Sequence, residues 1–131
     1  SRRVRGALED VDVLSSIDKY PSEISGGMLK RVALARAIVR QTDILLCDEP
    51  TSGLDPVTSM TINNLIRRIN KERGITSVVV THDLKGAFAV ADKIVLLDGS
   101  RVALCATVED FIKSENPSAR EFVAATQGGV L

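Results

Sequence analysis

Tryptophan is missing from these 131 residues, aromatics stop at three phenylalanines and one tyrosine, and neither sign of charge dominates, with 17 basic and 17 acidic side chains. A surface that stacks bases needs aromatic faces, and one that follows a phosphate backbone needs a net basic field, so no nucleic-acid partner is expected. Long hydrophobic runs are missing as well. The strongest, 44–47 and 78–80, fall far short of the roughly 20 residues a membrane-spanning helix needs, so any membrane link has to come through a partner. Cysteine is sparse. Cys47 and Cys105 lie far apart with no metal-ligand spacing, which points to a reducing, intracellular compartment. There is no initiator methionine and no secretory signal, and the first residues already read as helix, so the chain is expected to be a piece of a longer protein.

What is present is an ordinary globular composition, enough for one compact domain. Val4, Leu8 and Val11 fall at helical spacing, and Tyr20-Pro21 closes a loop over 15–21. From Gly26 the helical pattern resumes, with Met28, Val32, Ala35 and Val39 predicted on one apolar face and Lys30, Arg31 and Arg40 toward others. The run 44–47 predicts a strand buried on both sides, as in parallel sheets. Residues 56–73 carry Met60, Leu65, Ile66 and Ile69 in helical register and stop at Gly74. The β-branched stretch 75–81 predicts a second buried strand, and 84–91 a short helix. Asp98-Gly99 between 93–97 and 101–105 signals a hairpin. Thr107-Val108-Glu109-Asp110 resembles a capping box, and Asn116-Pro117 opens a last helix. The alternation predicts an α/β fold with a mainly parallel sheet.

Four short constellations carry candidate chemistry. Ser25-Gly26-Gly27 opens the basic helix, where unpaired N–H groups, the helix dipole and a hydroxyl suit a phosphate; the same residues also suit a plain helix cap. Asp48-Glu49 ends the apolar strand 44–47, at the sheet edge where α/β ligands bind. Asp48 is a candidate Mg²⁺ ligand and Glu49 a candidate general base, or both simply cap the next helix. Thr81-His82-Asp83 follows the run 78–80, and His82 is the only histidine in the chain. It can hydrogen-bond a phosphate or a carboxylate, although a lone histidine is more often incidental. Ser52-Gly53-Leu54-Asp55-Pro56 reads by itself as a tight loop leading into a helix.

Taken together and in this order, the four resemble the ATP-binding domains of ABC transporters: 24–28 the signature motif, 44–49 the Walker B strand, 52–55 the D-loop and His82 the switch histidine. The resemblance implies a partial P-loop NTPase (RecA-like) parallel sheet with part of the helical subdomain, and ATP and Mg²⁺ as cofactors. It divides the chain into a helical subdomain with signature helix (1–40), a Walker B to hairpin core (41–106) and C-terminal helices (107–131). It also implies that Ser25, Gly26 and Gly27 bind the γ-phosphate of ATP held by a second such domain. Asp48 would serve Mg²⁺, Glu49 would be the catalytic base, His82 would contact the γ-phosphate and Asp55 would communicate across the dimer. Implied partners are a second nucleotide-binding domain and a transmembrane permease, which would place the protein on the cytoplasmic face of the membrane. Closing and opening of the two-domain sandwich would drive the permease.

One departure concerns activity. No Gly-x-x-x-x-Gly-Lys-Ser/Thr occurs in the sequence, so the Walker A loop and its strand are absent. The chain by itself is therefore expected neither to bind ATP tightly nor to hydrolyse it, and to leave open sheet edges. Met28 stands where most such transporters carry glutamine. With 25–37, 48–56 and the ending 116–122 it resembles the Mla-type, lipid-trafficking branch that works with Mce-type lipid-binding proteins. Alternatives from other classes are a soluble ABC ATPase of DNA repair or translation, and a truncated binding module without catalysis.

Overall fold

The computed structural model describes residues 1–128, with the side chain of Gln127 set aside; the expected C-terminal stretch runs to 131, and 129–131 lie outside the described residues. The chain forms two compact units, residues 1–82 and 83–131.

The first unit begins with helix α1 (Arg2–Asp10), followed by two short 3₁₀ turns, and then α2 (Gly26–Ile38), β1 (Ile44–Asp48), α3 (Pro56–Arg73) and β2 (Thr76–Val80). Strands β1 and β2 pair in parallel, Ile44 opposite Thr76 through Asp48 opposite Val80. Both carboxyl ends therefore reach the same edge. Helix boundaries follow local chemistry. The Ser25 hydroxyl accepts the Met28 N–H at the start of α2, and Asp55 caps α3 with Pro56 at its first position. Gly74 ends α3 at φ 66°, a left-handed C-cap that disfavours a side chain with a Cβ. Pro21 lies in the second 3₁₀ turn, whose Glu23 carboxylate accepts the Tyr20 N–H at 2.7 Å.

The core of this unit gathers Ala7, Val11 and Val13 with Leu34, Ala35 and Ile38 of α2, Leu45 and Cys47 of β1, and Ile62, Leu65, Ile66 and Ile69 of α3. On α2 the buried stripe is 34, 35 and 38, whereas Met28, Val32 and Val39 of the predicted face are only partly buried. Met60 of α3, also predicted to face inward, is exposed. The strand expectation is corrected more strongly. Only Leu45 and Cys47 of β1 are buried; Ile44 and Leu46 on the opposite face are exposed, as are Val78, Val79 and Val80 of β2. In β1 alternation explains the split, since successive side chains leave opposite faces and only one face is covered; in β2 the three consecutive valines are exposed on both faces. A run of apolar residues announces a strand but does not supply the layer that buries its second face.

Asp12, in left-handed conformation at φ 57°, ties α1 to both long helices. Its carboxylate accepts from Arg31 of α2 at 3.2 Å and from Arg68 of α3 at 2.9 Å, and Arg31 also donates to the Val11 carbonyl oxygen at 2.9 Å.

The second unit holds α4 (Leu84–Val90), the antiparallel hairpin β3 (Lys93–Asp98) and β4 (Arg101–Thr107), α5 (Val108–Lys113) and α6 (Pro117–Gln127). The turn falls one residue later than Asp98-Gly99. Gly99 and Ser100 are its two central residues, both with positive φ (55° and 62°), as a type I′ turn requires. Thr107 and Asp110 bond reciprocally at the start of α5, and the Asn116 side chain accepts the Ser118 and Ala119 N–H groups to open α6. Leu96, Phe111 and Ala119 form the core, with the Phe88 and Phe111 rings 5.7 Å apart.

The fold class is α/β, with a small parallel sheet and flanking helices, as a partial P-loop NTPase requires. No third strand joins β1 and β2 among the described residues, in keeping with the expected open edge. No helix among those residues is long and apolar enough to cross a membrane.

Candidate active site

Parallel pairing fixes where the chemistry gathers. Strand β1 ends in Asp48-Glu49 and β2 leads to Thr81-His82, so adjacent strands deliver an acid pair and an imidazole to one edge. Glu49 is held at its N–H, its carbonyl and one carboxylate oxygen. Its N–H donates to the Val80 carbonyl oxygen at 2.8 Å, and its own carbonyl accepts the Ser52 N–H at 3.2 Å. Its Oε1 accepts the His82 backbone N–H at 3.1 Å and lies 2.9 Å from His82 Nδ1. An ionised carboxylate only accepts, so Nδ1 carries the proton in this pair. In the neutral ring Nε2 is then an acceptor, and a phosphate contact through Nε2 requires the imidazolium.

The backbone of Glu49 sits at φ 46°, a left-handed conformation that a non-glycine residue rarely adopts. Such strain persists where surrounding contacts over-determine it, and it concentrates at functional sites. The Glu49 side chain is 32% exposed and that of His82 85%, so the carboxylate is sheltered while the imidazole is open to an incoming group. Asp48, at the end of β1, is exposed.

The second assembly surrounds the start of α2. Gly26 and Gly27 occupy its first turn, where N–H groups lack intrahelical partners, and the Ser25 hydroxyl oxygen accepts the Met28 N–H, which leaves its O–H to donate. These glycines also pack closely on the neighbouring loop and helix. A Cβ on Gly26 would meet Leu54 Cδ2 at 3.4 Å, and one on Gly27 would meet Thr58 Cγ2 at 2.8 Å. Asp55 lies in the same assembly, accepting the Val57 and Thr58 N–H groups at 3.0 Å and the Thr58 hydroxyl proton. The Thr58 hydroxyl, followed by the backbone N–H bonds, holds the Asp55 carboxyl below the usual aspartate range.

The predicted residues thus form two groups, Glu49 with His82, and Ser25, Gly26 and Gly27 beside Asp55. Lys30, which the helical pattern placed off the apolar face, reaches from α2 to the loop after β1; its Nζ lies 3.5 Å from the Glu49 carbonyl oxygen and 3.3 Å from Ser52 Oγ. Thr58 was missed too, and its only sequence signal is its place three residues after the helix-capping aspartate.

The residues fit both implied cofactors. Two orphan N–H groups on a glycine turn suit phosphate oxygens. No cluster of three histidine, cysteine or acidic ligands exists among the described residues, but Mg²⁺ keeps most of its waters and needs few carboxylates, and exposed Asp48 can supply one.

Residues 1–52 match the family described as "ABC transporter". The chain is 42% identical over 123 residues to "Methionine import ATP-binding protein MetN" of Carboxydothermus hydrogenoformans, which covers 93% of this chain and 36% of that protein. A protein of the same name from Caulobacter vibrioides is 40% identical over 129 residues, 98% of this chain and 39% of the relative. Another from Clostridium tetani is 44% identical over 114 residues, 86% and 36% respectively. The chain thus spans somewhat over a third of the length of these curated relatives. Their names correct the expected likeness to the lipid-trafficking branch and its Mce-type partner: each is named for methionine import, and Met28, the residue that suggested lipid, does not outweigh them.

Proposed function

We propose, from the premise that this chain is part of an ABC transporter ATP-binding domain, that its residues serve two ATP sites of a transport ATPase. In one site Glu49 orients and deprotonates the attacking water, with His82 fixing the carboxylate and reaching the terminal phosphate. Asp48 holds Mg²⁺ there, which when bound neutralises charge on the phosphates. Ser25, Gly26 and Gly27 present their helix N-terminus to the ATP of a second domain, and Asp55 lies beside that interface. The transported solute on this reading is an amino acid of the methionine type, taken up through a membrane permease, with the domain on the cytoplasmic side. The names of the relatives support that solute class.

The observation that carries the catalytic reading is the double hold of His82 on Glu49, at 2.9 and 3.1 Å from one carboxylate oxygen. A carboxylate that only capped a helix would bond to that helix's N–H groups; this one bonds across to the neighbouring strand's end. Two measurements test the proposal. The 131-residue chain, which lacks a Walker A loop, is expected to show no vanadate-sensitive ATP turnover, and measurable turnover overturns that expectation. In a full-length ATPase carrying these residues with a Walker A loop and its permease, ATP hydrolysis is expected to rise with methionine uptake; stimulation by phospholipid transfer instead would return the lipid reading.

A further inference from the structure

We propose that Lys30 is a positioning residue that links the phosphate-facing turn of α2 to the catalytic loop by holding the backbone of Glu49 in its left-handed conformation; this rests on the reading of Glu49 as the base.

Lys30 lies one helical turn beyond Gly26, and α2 is well anchored. Leu34, Ala35 and Ile38 are buried in the core, and Arg31 is bonded to Val11 and Asp12. The Lys30 stem therefore extends from a fixed base. Its ammonium reaches the Glu49 carbonyl oxygen at 3.5 Å and Ser52 Oγ at 3.3 Å. Both distances are at the long end of the hydrogen-bond range, and an ammonium with three protons can address both acceptors at once. The target matters more than the length. A positive φ at a glutamate is unfavourable unless its neighbours demand it, and the Glu49 peptide is held at its N–H by Val80 and at its carbonyl by Ser52 and Lys30. Val80 and Ser52 hold it from its own strand pair and its own turn. Lys30 is the contact from α2. Displacement of Ser25, Gly26 and Gly27 as a phosphate seats on their N–H groups would pull on α2, and Lys30 carries that movement to the carbonyl behind the catalytic carboxylate.

The test uses Lys30→Met, which keeps the stem and removes the charge, and Lys30→Arg, which restores a cation. In the isotope-labelled 131-residue chain, Lys30→Met is expected to move the Glu49 and His82 backbone resonances and the His82 ring resonances. The Ile62 and Ile69 methyl signals of the core should stay in place, and Lys30→Arg should bring the moved signals back toward the parent. In the full-length ATPase, Lys30→Met is expected to lower kcat about tenfold, the scale of one charge-assisted hydrogen bond, with KM for ATP unchanged. Unmoved Glu49 and His82 signals, or a parental kcat in an active enzyme, overturn the proposal. Should Lys30→Met unfold the chain, Ser52→Ala removes one of the two ammonium contacts without touching α2, and must shift the same signals for the proposal to stand. Moved signals alongside a parent enzyme with no ATPase activity would leave the Lys30 link intact and remove the ATPase reading instead.

Discussion

Replacing Gly27 by alanine separates two reasons for a glycine at the start of α2. A Cβ there would lie 2.8 Å from Thr58 Cγ2, whereas carbon atoms in contact settle at about 3.5–4.0 Å. Thr58 cannot turn its methyl away freely, because its hydroxyl donates to Asp55, which also caps α3. Either that bond breaks or α2 and α3 move apart over a core that includes Leu34, Ile38, Ile62 and Leu65. Overpacking of this kind costs about 1–3 kcal/mol, offset by less than about 1 kcal/mol from the lower chain entropy of alanine. A net loss of about 1–2 kcal/mol lowers the melting temperature by about 4–8 °C for a chain of this size. Thermal unfolding followed by circular dichroism, in a double-mutant cycle with Thr58→Ser, checks the cause. Serine keeps the hydroxyl and removes the methyl, so Gly27→Ala in that background is expected to cost less than about 0.5 kcal/mol. An equal loss in both backgrounds, or none in either, refutes the packing argument.

Gly26→Ala should behave differently: its Cβ meets Leu54 at an ordinary 3.4 Å, so the melting temperature should hold within about 2 °C while, on the proposed phosphate-facing role, the turnover of an ATPase carrying these residues falls. Ile62→Ala should cost about 2–5 kcal/mol in chemical denaturation, as expected for a fully buried isoleucine, and Leu46→Ala, 75% exposed, should cost less than about 0.5 kcal/mol. A large loss at Leu46 would mean that the outer face of β1 is covered after all. Asp55 has a lowered carboxyl pKa, chiefly from the Thr58 hydroxyl. Its contribution to stability is thus present above the unfolded aspartate value of about 3.9 and lost as pH falls through the folded value. Asp55→Asn should reduce the loss of stability on acidification below about pH 4, and an unchanged acid-unfolding profile would count against that role. Glu49→Gln in the full-length enzyme should abolish hydrolysis while ATP binding and the closed dimer persist, read by nucleotide binding and size-exclusion chromatography; parental turnover would remove Glu49 as the base.

Much of the local structure is legible in the sequence because it is decided locally. Ser25, Asp55, Thr107 and Asn116 each cap the helix that follows them, since a short polar side chain reaches the free N–H groups of the first turn without help from elsewhere. Gly74 ends α3, where a left-handed residue is needed. The pairing of Glu49 with His82 is half legible: two strand-end motifs suggest one edge, but only the parallel register of β1 and β2 makes them neighbours. Three things were decided by tertiary structure alone. Ile44 and Leu46 of β1 and Val78, Val79 and Val80 of β2 stay exposed because burial depends on neighbouring layers, which no strand pattern can supply. Gly27 is required by the methyl group of Thr58, which comes from another helix. Lys30 turns to the loop after β1 because the core fixes the rotation of α2, and helical periodicity specifies which residues share a face but not what that face will meet.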